Sequence, residues 1–179
     1  MAINEIVIID KVKDLAAKSL ELLKGGKSDE ADSTLLNMKL ASIELFKLSA
    51  PALHADKLRD ILSVIDECIE FTPKSAAPLV VQAYILYILG DIKIYKMNNF
   101  RVAWIKSIKA TEYDPSDADA WLAHGICSQQ VLPSPSSTGE EALNKAIELS
   151  KDEFIKSKAV KAYYRGRVAY TQGPSIDPA

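Results

Sequence analysis

A chain of 179 residues, 48% hydrophobic and 26% charged, has the proportions of one water-soluble folded domain, and seven glycines with eight prolines are too few for a loop-dominated all-β fold. Its 22 basic and 24 acidic residues leave a formal net charge of -2, which supplies no global field for gathering polyanions and makes nucleic acid a poor first expectation. Cys68 and Cys127 lack paired spacing and sit in apolar surroundings, so they read as small buried hydrophobes in a reducing compartment.

The opening Met1-Ala-Ile-Asn-Glu carries an acid rather than a basic cluster, and Ile6-Val-Ile-Ile9 is too short for a signal core, so no export signal is read and a cytoplasmic location is the default expectation. Those four residues have strand-like composition, but no other stretch offers a strand to pair with them, and the first helix is expected from about Ile3. Val12, Leu15, Ala16, Leu22 and Leu23 continue it at three- and four-residue steps to Lys24, where Gly25-Gly26 stops it.

Ser28-Asp-Glu-Ala is expected to cap a second helix whose broad apolar face, Leu35 through Leu48, implies neighbours on two sides and ends before Pro51. Asp56 is expected to cap a third, with Leu58, Ile61, Leu62, Ile65, Cys68 and Ile69 in one stripe and Thr72-Pro73 as its stop. Ser75 and Pro78 open a fourth, apolar nearly all round and therefore the most deeply buried. Ala76 to Gly90 falls short of the roughly 20 residues of a bilayer span. Asp91 to Asn98 reads as an insertion before a fifth helix from about Asn99 to Asp114-Pro115. Asp117 caps a sixth to about Val131, and the turn-forming loop Leu132 to Thr138 precedes a seventh from Glu140 to Leu149. Asp152 starts an eighth that runs through Tyr170 toward Gly173-Pro174, and residues 174–179 are a tail.

Helix ends align three times: Glu67-Cys-Ile-Glu-Phe-Thr-Pro73, Lys109-Ala-Thr-Glu-Tyr-Asp-Pro115 and Lys145-Ala-Ile-Glu-Leu-Ser-Lys151. Small residues that let paired helices approach recur at Ala83, Gly125 and Gly166 in first helices, and at Cys68, Ala103, Ala110, Gly139 and Ala146 in second helices. With Trp121 one turn before Gly125, these features resemble the tetratricopeptide repeat family from about residue 31 to 173. The departures are Lys151 in place of a proline, His124 and Arg165 in place of leucines, and Pro73 and Pro115 about eight residues further apart than one repeat of roughly 34.

The resemblance implies an all-α fold of about eight helices in stacked antiparallel hairpins wound into a right-handed superhelix. One domain would occupy 1–173, with an N-terminal helix in 1–25, hairpins at 29–73, 76–115 and 118–151, and a terminal helix at 152–172. It also implies that the first helices line a concave groove. Its positions carried onto this chain give Val80, Val81, Tyr84, Tyr87 and Ile88, then Asp119, Leu122, Ala123, Ile126, Gln129 and Gln130, then Val160, Tyr163, Tyr164, Arg167 and Tyr170. Of these, Tyr84, Tyr87, Ile126, Gln129, Gln130, Tyr163, Tyr164, Arg167 and Tyr170 are the expected partner-binding set. Five of the seven tyrosines fall in it, and tyrosine joins large contact area to a hydrogen-bonding tip. A guanidinium among them suits a carboxylate, although each tyrosine can equally be a core filler and Arg167 a solvated cation. The family's chaperone-tail binders use Lys, Asn and Arg where this chain has mostly Val, Leu, Ala and Tyr, so that specificity is not expected.

Residues for chemistry are sparse. His124 and Cys127 share a helical face but lack further ligands, His54 stands alone, Gly25-Gly26-Lys27-Ser28 lacks the rest of a phosphate loop, and no Gly-x-Ser-x-Gly turn occurs. The acid pairs Asp29-Glu30, Asp66-Glu67 and Glu140-Glu141 read as helix-start charge or solvated faces, and Lys93, Lys96, Arg101, Lys106 and Lys109 as a solvated basic side. No catalytic residue, metal or cofactor is therefore expected. The expected function is a non-catalytic scaffold that binds a peptide segment or helix of another protein; the alternatives are a carrier of a small organic ligand and an assembly subunit that self-associates through its last helix.

Overall fold

The structure, a computed structural model, describes residues 2–48, 54–90, 96–132 and 136–171, with side chains at all of these except 2–3, 96–97 and 165–171. Eight helices and no strand occur among them: α1 (Ala2–Lys24), α2 (Ser28–Lys47), α3 (Ala55–Phe71), α4 (Ala76–Gly90), α5 (Lys96–Tyr113), α6 (Ala118–Val131), α7 (Ser137–Leu149) and α8 (Glu153–Thr171). The all-α expectation holds, and Ile6 to Ile9 lies inside α1.

Termination of α1 follows from its two glycines. Gly26 has φ 73°, a conformation that costs a residue without Cβ little, and it turns the chain so that Gly26 N donates to Leu23 O at 3.1 Å and Lys27 N to Leu22 O at 2.9 Å. The starts of α6 and α8 are also as read, since Asp117 accepts from Asp119 N at 3.0 Å and Asp152 from Phe154 N at 2.7 Å.

Four boundaries need correction. Ser28 is the first residue of α2 rather than its cap, Lys27 precedes it, and no side chain caps that end. His54 takes the cap position of α3, also without a side-chain bond, while Asp56 sits in the first turn and pairs with Arg59 at 2.8 Å. Helix α5 begins at Lys96, so the last three residues assigned to an insertion are helical, and 91–95 lie outside the described residues, as do 172–179. Helix α7 begins at Ser137 because Ser136 caps it by accepting from Gly139 N at 3.3 Å; the serines that looked like loop formers act as a helix start.

Sequence neighbours pack as pairs along most of the chain, α1 on α2, α3 on α4, α4 on α5, α5 on α6, α6 on α7 and α7 on α8. A second set of contacts joins α2 to α4, α4 to α6 and α6 to α8, so the even-numbered helices form one row, and α3 packs on α1 rather than on α2, its expected partner in a 29–73 hairpin. Helix α4 is the centre of this arrangement: Pro78 through Ile85 are all buried, as its uniform hydrophobicity requires. The two sides of α2 are taken by α1 and α4, as its broad face implied.

Close approach depends on small residues. A Cβ on Gly125 would stand 2.5 Å from the Leu143 side chain and 3.1 Å from its backbone nitrogen, and one on Gly90 would stand 2.5 Å from the Phe100 ring. One on Gly139 would meet Ser128 Oγ, so α6 and α7 are held together by a glycine from each.

Candidate functional site

The tyrosines expected to line one groove lie at different depths. Tyr84 is 0% exposed: its ring packs on Phe46 of α2 with centroids 4.9 Å apart, and its hydroxyl donates to the carbonyl oxygen of Asp119 at 3.0 Å. Burial pushes its phenol well above the ordinary value of 10, and Asp119 and Asp117 add to the shift. Tyr84 is thus a core residue that ties α4 to α6, not part of an open surface. Tyr87, half-buried, packs on Phe46 at 5.8 Å and on Phe100 at 5.2 Å.

Phe46 fills the hollow that the tyrosines were expected to bound, because α2 belongs to the same row of helices and projects its ring between Tyr84, Tyr87 and Phe154. Val80, Val81, Ile88, Leu122, Ala123 and Ile126 are buried with it. Gln129 turns toward α7, where its Cγ lies 3.4 Å from the place of a Cβ on Gly139, and Gln130 is exposed. Tyr163 is half-buried and meets Tyr164 edge-on at 5.7 Å; Tyr164 is 61% exposed. Arg167 and Tyr170 lie on α8 with side chains outside those described. The structure therefore brings Tyr84 and Tyr87 together around Phe46, and leaves Tyr164 and Gln130 on the surface.

Among the described residues, open space lies elsewhere. A cleft of about 810 Å³ is walled by α1, α2, the start of α6 and the α7–α8 turn. Leu15, Leu40, Ala41, Ile43, Leu149 and Ile155 give it apolar surface, and Lys11, Glu44, Lys47, Asp119, Lys151 and Asp152 give it charge. Leu40 is 51% exposed, Leu36 one turn earlier is 50% exposed, and Val7 one turn before Lys11 is 60% exposed. The apolar periodicity of α2 places Leu36 and Leu40 on its buried face, and the structure leaves both half-exposed. What the sequence alone hides is which side of that face the α7–α8 turn leaves uncovered.

Electrostatic order surrounds the cleft. Lys39 of α2 reaches Asp117 at 2.9 Å and Asp119 at 3.1 Å, with all three side chains at or below 17% exposure. Two carboxylates share one ammonium. Burial acts to lower the Lys39 pKa, but attraction to Asp117 and Asp119 outweighs it and holds the value above the ordinary 10.5. Asp119 is raised by burial, against the pull of Lys39. At the rim Lys47 stands between Glu44 at 2.9 Å and Asp152 at 3.4 Å, and its ammonium lies 5.1 Å from the Phe154 ring centroid. The Asp152 carboxyl is held below its ordinary range by the Phe154 N–H and, secondarily, by Lys47.

His124 and Cys127 are both buried on α6. The His124 ring stacks on Trp121 with centroids 5.9 Å apart, neither of its nitrogens has a hydrogen-bond partner among the described residues, and burial lowers its pKa to about 4. Burial pushes the Cys127 thiol far above its ordinary value and, with Glu67, the Cys68 thiol up to about 11, so both are poor nucleophiles at neutral pH. Both are free and buried, as read from the sequence. Among the described residues no group of three His, Cys, Asp or Glu is placed to hold a metal ion, and no helix is long and apolar enough to cross a membrane.

Comparison of the chain with protein-family profiles, with curated proteins and with solved structures gives no match in any of the three.

Proposed function

We propose that the chain is a non-catalytic protein-interaction scaffold of tetratricopeptide type, which binds a peptide segment or helix of a partner protein. The row of even-numbered helices and the glycine-dependent approach of α6 and α7 support the family reading. The single observation that carries the function is the cleft between α2 and the α7–α8 turn, where half-exposed Leu40 stands beside charged walls and Leu36, half-exposed one helical turn earlier, continues the stripe past the cleft. Apolar side chains at this spacing accept the apolar stripe of a helix or the alternate residues of an extended segment. The tyrosine groove is accordingly replaced as the binding place, with Tyr163 and Tyr164 left as contacts further along α8.

The test is selection of a displayed random 16-residue peptide library on the full chain, with a Leu40→Asp chain as the counter-target. Peptides retained by the parent and lost on Leu40→Asp support the reading; no difference between the two chains removes it.

A small-ligand carrier has one observation in its favour, since about 810 Å³ is a volume that also suits an organic molecule. A thermal-shift screen of the full chain against metabolites separates the two, the carrier requiring a stabilising small molecule and the scaffold none.

A further inference from the structure

We infer that the segment held in the cleft is acidic as well as amphipathic: a helix with an apolar stripe and carboxylates on both flanks. This rests on the interaction reading above and adds the chemistry of the partner. Counted by sign, the charges of the cleft and its backing balance, but their availability does not. Asp119 is held by Lys39 at 3.1 Å, and Glu44 and Asp152 are both held by Lys47, at 2.9 and 3.4 Å. Lys11 on the α1 wall and Lys151 on the α7–α8 turn are exposed, and neither has an ion-pair or hydrogen-bond partner among the described residues.

The charged side chains of the cleft lining without a partner among the described residues are therefore two ammonium groups on different walls, in a cleft whose apolar lining is Leu15, Leu40, Ile43, Leu149 and Ile155. Two unpaired ammonium groups so placed favour an acidic segment over a basic one. Leu36 extends the apolar stripe of α2 by one turn beyond Leu40, so the occupant is matched better by a helix of several turns than by a single side chain.

The experiment uses the full chain and three fluorescein-labelled 16-residue helical peptides with the same leucine stripe, flanked by Glu, by Gln or by Lys. In fluorescence anisotropy at low salt the Glu peptide should bind on the order of tenfold more tightly than the Gln peptide, and the advantage should shrink as salt rises. A Lys11→Glu, Lys151→Glu chain should reverse the order of the Glu and Lys peptides, its fold checked by far-UV circular dichroism.

Equal binding of all three peptides, with loss on Leu40→Asp, overturns the acidic partner and leaves the scaffold reading standing. Binding that Leu40→Asp does not change, or no binding at all, removes the scaffold reading itself. Two further results also overturn the inference: a dimer in light scattering that Leu40→Asp dissolves, which would make a second copy the occupant, and tighter binding of a single-stranded 16-mer oligonucleotide than of the Glu peptide.

Discussion

The ammonium of Lys39 lies 2.9 Å from a carboxylate oxygen of Asp117, 78 positions further along the chain, and this contact fastens α2 to the first turn of α6. Asp117 is at the same time the cap of α6, and Asp119 shares the same ammonium. Lys39→Met leaves two nearly buried carboxylates without a counter-charge, and a loss of about 3–5 kcal/mol is expected in urea unfolding. Because burial raises the Asp119 pKa, its charge is already a cost that Lys39 only partly offsets. Asp119→Asn should therefore be mild alone and should recover part of the Lys39→Met loss. The raised Lys39 pKa carries a sign as well: the stabilisation is complete below the ordinary value of 10.5 and is lost as pH climbs through the folded-state value.

Gly125→Ala is expected to cost about 1–3 kcal/mol, since the added methyl would stand 2.5 Å from the Leu143 side chain and also crowd its backbone. The backbone cannot yield as easily as a side-chain tip. Leu143→Ala in the same chain should relieve only the side-chain part, so the double variant should remain below the parent in thermal melting. Strict additivity of the two losses would show that the helices do not meet at this point.

The helices were legible because each carries its own signal: Gly25-Gly26 as a stop, Asp117 and Asp152 as caps, and the unbroken hydrophobicity of α4. Starts set by the chain before them were not. Ser136 looks like a loop residue until Gly139 is seen to donate to it, and Ser28 resembles a cap although the turn after Gly26 has already placed it inside the helix. The site was read least well, since a helical stripe shows which residues share a face but not what covers it. Tyr84 and Leu40 each fit a buried or a binding role in sequence; Phe46 covers the first, and nothing among the described residues covers half of the second. Lys39 stands in the apolar face of α2 as a lone cation, and only its meeting with Asp117 and Asp119 explains it.

Tyr84 and Leu40 should consequently behave in opposite ways. Tyr84→Phe removes the hydroxyl that donates to Asp119 O and should cost about 0.5–1.5 kcal/mol of stability without changing peptide binding. Leu40→Asp, at a half-exposed position inside α2, should cost about 1–2 kcal/mol while leaving the chain folded, and should abolish binding. Anisotropy titrations alongside denaturant curves for both chains read the two effects separately. Loss of binding on Tyr84→Phe with an unchanged melting curve would restore Tyr84 as a contact residue.

Acid sensitivity should trace in part to His124. Its buried imidazole has a pKa of about 4, below the ordinary 6.5, and neither nitrogen has a hydrogen-bond partner among the described residues, so the fold favours the neutral ring. Between those two values the unfolded chain binds a proton that the folded chain does not, and stability falls as pH drops through that window, by up to about 3 kcal/mol from this group. Two carboxyls also respond to acid: Asp119, whose pKa is raised above the ordinary 3.8, gains stability as pH falls within the same window, whereas Asp152, whose pKa is lowered, loses it only below 3.8. The informative quantity is thus the difference between the parent and His124→Leu. The leucine forfeits no hydrogen bond and has no proton to take up, so the variant should match or exceed the parent at pH 7 and exceed it clearly at pH 4.5 in urea unfolding. Parallel pH profiles for the two chains would place the acid sensitivity elsewhere and would mean that water or a polar neighbour reaches the ring in solution.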